Sequence, residues 1–91
     1  MPRPRRRRHI RGNPNSDHFK PAGVPLQRLE TITLTMEEFE ALRLIDHQRL
    51  SQETAGEHMG ISQATLSRTL ATARKKLADA ITTGKAIRIQ Q

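Results

Sequence analysis

Ser51, Gly60 and Ser62 punctuate the chain so tightly that few local arrangements accommodate all three. A serine whose hydroxyl accepts an orphan amide starts a helix at Gln52. Gln52-Glu-Thr-Ala-Gly-Glu-His-Met59 supplies about two turns. Gly60 then closes them, because a residue at positive φ ends a helix sharply and glycine has no Cβ to clash there. Ile61 plugs the turn, and Ser62 caps another helix almost at once. Two helices joined by so short a corner read as a helix-turn-helix. Gly56 fits that reading. Glycine inside a helix costs about 1 kcal/mol relative to alanine, and it is expected where two helices cross and a side chain would hold their backbones apart. A tolerated defect is the weaker alternative.

The helix that follows has two distinct faces. At 100° per residue, Leu66, Leu70, Ala73 and Leu77 fall within about 60° of one another and predict a buried seam. Ala64, Arg68, Ala71 and Lys75 lie opposite, flanked by Thr65, Ser67 and Thr72. Small side chains, hydroxyls and one arginine suit a DNA major groove about 12 Å wide and lined with acceptors. Gln63 has the geometry to pair with adenine and Arg68 with guanine; Ala64 or Thr65 can meet a thymine methyl, and Ser67 completes the base-reading set. Arg74, Lys75 and Lys76 come two turns later and are expected at phosphates; they also complement the negative end of their helix. Ser51, Gln52, Ser62 and Thr72 are the remaining expected phosphate contacts, as donors near the helix starts and along the groove-facing side.

Upstream, Thr35 followed by Glu38 has the spacing of a capping box. It predicts a first helix over residues 36–47 with Phe39, Ala41, Leu42 and Ile45 inward and Glu37, Glu40, Arg43 and His47 in water. Leu44 falls off that stripe and reads as an incidental exposed leucine or, less favoured, a dimer contact. Leu29-Glu-Thr-Ile-Thr-Leu34 and Lys85-Ala-Ile-Arg-Ile-Gln90 alternate as short strands. Strands so short need partners, and pairing within the chain or across a dimer both satisfy them. The expected fold is therefore mainly α: a three-helix domain over residues 29–91 with two flanking β-strands. A basic arm and a Pro/Gly-rich lead-in fill residues 1–28, with residues 19–26 lying on the domain as an ordered loop.

Charge is distributed, not uniform. The net charge is +7, divided as +6 over residues 1–11, −4 over residues 12–61 and +5 over residues 62–91. Two basic ends and an acidic middle suit a polyanion held at particular faces. Arg3, Arg5, Arg6, Arg7, Arg8 and Arg11 form an arm expected to be disordered. It has three readings: a minor-groove contact, a phosphate-tracking tail, or a solvated tail. Cysteine is absent, which excludes disulfides and fits a reducing cytoplasm. No apolar run is long enough to span a membrane. His9, His18, His47 and His58 lack the spacing of a zinc site on one helix. No nucleophile motif or phosphate loop is present. Neither a metal, a cofactor nor an enzymatic activity is expected.

Leu50-Ser-Gln-Glu-Thr-Ala-Gly-Glu-His-Met-Gly-Ile-Ser-Gln-Ala-Thr-Leu-Ser-Arg-Thr-Leu70, continued by Ala73-Arg-Lys-Lys-Leu77, resembles the helix-turn-helix of sigma-factor region 4. The whole chain resembles an uncharacterised family of small bacterial and archaeal predicted DNA-binding proteins. The residues that carry this are Met1-Pro-Arg-Pro4, Phe19-Lys-Pro-Ala-Gly23, Glu40-Ala-Leu-Arg-Leu44, Ala73-Arg-Lys-Lys76 and Gly84-Lys-Ala-Ile87. His18 departs from the pattern, standing where an aromatic residue is expected, and so does the Gln90-Gln91 end. The resemblance implies binding of double-stranded DNA, with a transcriptional regulator, a homodimer and a nucleoid-associated location as the expectation. RNA polymerase is the candidate protein partner under the competing reading of an interaction module; arm-driven, non-specific nucleic-acid binding is the third.

Overall fold

The computed structural model describes residues 10–91. In chain order it comprises β1 (His18–Phe19), a single 3-10 turn (Leu26–Arg28), β2 (Thr31–Leu34), α1 (Met36–Ala41) running into a π-helical segment (Leu42–His47), α2 (Gln52–Met59), α3 (Gln63–Thr83) and β3 (Ala86–Ile89). Among the described residues no helix is long and apolar enough to cross a membrane.

Local chemistry explains where each helix starts. Thr35 and Glu38 form the expected capping box: the Glu38 amide donates to Thr35 Oγ1 at 3.1 Å and the Thr35 amide to Glu38 Oε1 at 2.9 Å. Ser51 and Ser62 accept the amides of Thr54 and Thr65 at 3.0 and 3.1 Å. Gly60 closes α2 at φ 70°, ψ 32°. α3 runs past the seam residue Leu77 to Thr83, where Gly84 ends it in the same left-handed conformation.

The two strands expected from alternation pair within the chain, in parallel, with Ile32 opposite Ile87 and Leu34 opposite Ile89. A parallel pair needs a crossover, and here the whole helical unit provides it. The sheet has a third strand that alternation over two residues is too short to reveal. β1 runs antiparallel to β3, His18 opposite Arg88, giving the order β1-β3-β2. The stretch expected to be a loop from Phe19 thus begins in the sheet, and the Ile89 amide donates to the Asp17 carbonyl at 2.9 Å just before it.

The core has two parts. Ala41, Leu44, Ala55, Met59, Leu66 and Leu70 pack the three helices together. Leu34, Ala73 and Ile89, with Met36, Phe39 and Ile87 against them, join the sheet to α3. Leu42 touches both, and this sandwiching corrects the single-stripe expectation for the first helix. Leu44, expected in solvent, is 2% exposed, because Ala41 and Leu44 serve the helical cluster while Phe39 and Leu42 serve the sheet. The backbone also widens after Ala41: the Gln48 amide reaches the Arg43 carbonyl at 2.9 Å, a π-type step.

Glu40 is the second correction. Expected in water, it is 1% exposed and accepts four hydrogen bonds. Arg43 Nε and Nη2 each donate at 2.9 Å. The amides of Arg11 and Gly12 donate at 3.0 and 3.1 Å. A Cβ at Gly12 would overlap the Arg43 side chain, so glycine lets the lead-in lie this close without displacing the Glu40–Arg43 pair. Residues 11–12 and 17–19 are thereby held to the helical unit at one end and to β3 at the other.

Candidate nucleic-acid interface

α2 and α3 meet at a corner closed by backbone contact. Gly56 is buried, its carbonyl accepts the Ile61 amide at 3.0 Å, and a Cβ built on it would sit 3.0 Å from the Ile61 carbonyl oxygen. The glycine is there because the turn passes directly over it, which is the close approach expected from the sequence.

The outward face of α3 presents the expected residue types. Gln63, Ala64, Ser67, Arg68, Ala71, Thr72 and Lys75 are exposed, and Thr65 is half-buried. Among the described residues, Arg68 and Lys75 have no ion-pair partner, so both cations stand in solvent uncommitted. The cap hydroxyls are already engaged. Ser51 and Ser62 each accept an amide and donate onward to Thr54 Oγ1 and Thr65 Oγ1, both at 3.0 Å. The free hydroxyl protons at these helix starts therefore belong to Thr54 and Thr65. Sequence reasoning missed Thr54 because a capping serine looks like the available donor until its partner is known. Gln52 is exposed at the amino end of α2.

The three basic residues expected to act together are divided by the fold. Lys75 alone is free. Arg74 forms a two-pronged pair with Asp46 of the π-helical segment, Nε to Oδ2 at 3.1 Å and Nη2 to Oδ1 at 2.6 Å. This holds the Asp46 carboxyl below its ordinary pKa and the Arg74 guanidinium above its own. Lys76 is engaged within the fold. Its half-buried ammonium donates to Glu38 Oε1 and to the Thr33 carbonyl, both at 2.8 Å, tying α3 to the junction of β2 and α1. Lys76→Ala is therefore expected to lower the thermal midpoint by roughly 4–8 °C, the effect of about 1 kcal/mol in a domain this size. The salt dependence of duplex binding should stay the same; a slope shallower by about one would put Lys76 back on phosphate.

Arg49 was also missed. It lies at φ 65°, a conformation that side-chain-bearing residues rarely adopt, exposed in the loop between the π-helical segment and α2. Of the arm, Arg11 is described, its amide on Glu40; Arg3, Arg5, Arg6, Arg7 and Arg8 lie outside the described residues.

Two further features complete the surface. An open concavity of about 810 Å³ is bounded by Asn13, Phe19, Phe39, Leu42, Leu77 and Ile89. Leu77, expected in the seam, lines it. Phe19 and Ile81 are 52% and 76% exposed. Among the described residues no three His, Asp or Glu side chains converge to hold a metal ion.

The sequence model of a family described as "Protein of unknown function DUF134" matches residues 1–91. The chain is 49% identical over 90 residues to a "UPF0251 protein" of Thermoanaerobacter pseudethanolicus, covering 99% of this chain and 76% of the relative. It is 50% identical to one of Desulfosudis oleivorans (99% and 65% covered) and 44% identical to one of Aeromonas salmonicida (99% and 88% covered). No solved structure matches it.

Proposed function

The chain belongs to this family of proteins of unknown function, and from that premise we propose that it binds double-stranded DNA in a sequence-specific manner through a helix-turn-helix and regulates transcription. α2 and α3 form the motif, and α3 enters the major groove. One observation carries the reading. The amino-terminal half of α3 exposes Gln63, Ala64, Ser67 and Arg68 beside a corner closed on Gly56, and the Arg68 guanidinium takes no part in the ion pairs that engage Arg43 and Arg74. An arginine left free in the middle of a flat, small-residue helix face has the geometry that reads guanine O6 and N7.

Lys75 and the onward hydroxyls of Thr54 and Thr65 are the phosphate contacts of this reading. Two copies would read half-sites about one helical turn apart. Selection from a random duplex pool tests it and should return a palindromic site. Arg68→Ala should then cost about 1–3 kcal/mol for that site, with far less change on random duplex. Equal losses on both would sink the sequence-reading role.

The exposed Phe19 and Ile81 favour a second reading, an interaction module that meets polymerase or another regulator. Under it Arg68→Ala leaves duplex selectivity intact.

A further inference from the structure

Arg74 is the one cation on α3 that is both exposed and already paired with a carboxylate from another element. Its side chain and that of Asp46 are 54% and 42% exposed, so solvent and any ligand reach the pair from outside. At 100° per residue Arg74 continues the stripe of Gln63 and Ser67 along α3, and therefore flanks the proposed reading face on the side of the π-helical segment. Arg49, three residues beyond Asp46, adds its positive charge to the same carboxylate. Lys75 stands next along the helix without a partner. Two cations, Arg74 and Arg49, thus act on one acidic group at the border of the face.

A carboxylate held by a guanidinium through two near-parallel hydrogen bonds presents the same acceptor geometry as two oxygens of a phosphodiester, for which arginine forms the same fork. We infer that Asp46 occupies the place of a DNA backbone phosphate, and that Arg74 exchanges Asp46 for that phosphate when duplex is bound, with Arg49 adding its charge to the site. The inference rests on the DNA-binding reading above and adds a regulatory element to it. The free protein carries its own competitor, which weakens contact with any backbone and so discounts binding at sites where base contacts do not compensate.

The pair contributes little to folding, as exposed ion pairs generally do, so it can be opened without unfolding the domain. Asp46→Asn keeps the shape and removes the charge. Duplex binding is measured across a series of salt concentrations for the wild type, Asp46→Asn, Arg74→Ala and the double variant, using both the selected site and a random duplex. Asp46→Asn is expected to bind both duplexes roughly three- to tenfold tighter, with a log–log salt slope steeper by up to about one. In the wild type the Asp46 carboxylate freed by the exchange takes back part of the screening cations that the phosphate releases. The ratio between selected and random duplex should not rise. Because the exchange acts through Arg74, the double variant should bind no better than Arg74→Ala alone.

A gain that persists without Arg74 would mark Asp46 as a general source of repulsion and overturn the inference. Unchanged or weaker binding by Asp46→Asn, or a fall of its thermal midpoint by more than roughly 8 °C, would overturn it as well. In each of those cases wild-type binding leaves the DNA-binding reading standing. Absence of duplex binding by all four proteins at low salt would remove both.

Discussion

Replacing Glu40 with alanine is expected to destabilise the domain by about 3–5 kcal/mol, the range for removing one partner of a buried ion pair. The thermal midpoint should fall by roughly 12 °C or more. The carboxylate is 1% exposed and accepts from Arg43 twice and from the amides of Arg11 and Gly12. Its loss leaves the Arg43 guanidinium, whose side chain is only 23% exposed, without its counter-charge, and leaves two backbone donors without an acceptor. Arg43→Ala should cost less, since Glu40 then keeps both amides. Burial on its own would raise the Glu40 pKa, but the bonds from Arg43, Arg11 and Gly12 outweigh it and the net shift is downward. A carboxyl depressed in the folded state contributes stability that is complete above its ordinary value of 4.5 and is lost as pH falls through the lower, folded value. Acid melts should therefore show the wild type losing an advantage over Glu40→Gln as pH drops below about 4.5. A Glu40→Ala midpoint within about 4 °C of wild type would show that the clamp holds nothing.

Gly56→Val is expected to cost about 3 kcal/mol, at the upper end of overpacking changes, and to disable the corner between α2 and α3. Gly56→Ala separates the two effects involved. Alanine gains about 1 kcal/mol of helix propensity, but its Cβ meets the Ile61 carbonyl oxygen at 3.0 Å. The turn has little room to yield, because Ile61 is itself pinned to the Gly56 carbonyl. The added methyls of valine cannot be accommodated without moving α2 off the turn, which shifts its amino end relative to the exposed face of α3. Thermal melts, with duplex binding measured well below each midpoint, would show both losses. A valine variant that melts with the wild type would mean that the corner is not set by this contact.

Features written in adjacent residues were legible from the sequence. Thr35, Ser51 and Ser62 announce helix starts because capping is satisfied within one turn. Gly60 announces a stop because its φ is a property of one residue. The exposed face of α3 followed from 3.6-residue periodicity. What could not be read depends on groups far apart along the chain. Glu40 looks like a solvated glutamate until Arg11 and Gly12 arrive from the lead-in. Lys76 looks like a phosphate anchor until β2 places the Thr33 carbonyl beside it. Arg74 and Asp46 meet only because the π-helical segment packs against α3. Leu44 was misplaced because a helix serving two cores shows no single stripe, and β1 is too short for alternation to register.

The strand order has a consequence for the two ends of the chain. β1 and β2 are not neighbours in the sheet; β3 lies between them and is the strand with which each pairs. The lead-in is thus held by residues near the opposite terminus, and the chain closes on itself like a strap around the helical unit. Removal of Ala86–Ile89 would strip β1 and β2 of their shared partner at once, so proteolysis in this strand would loosen His18–Phe19 as well as Thr31–Leu34.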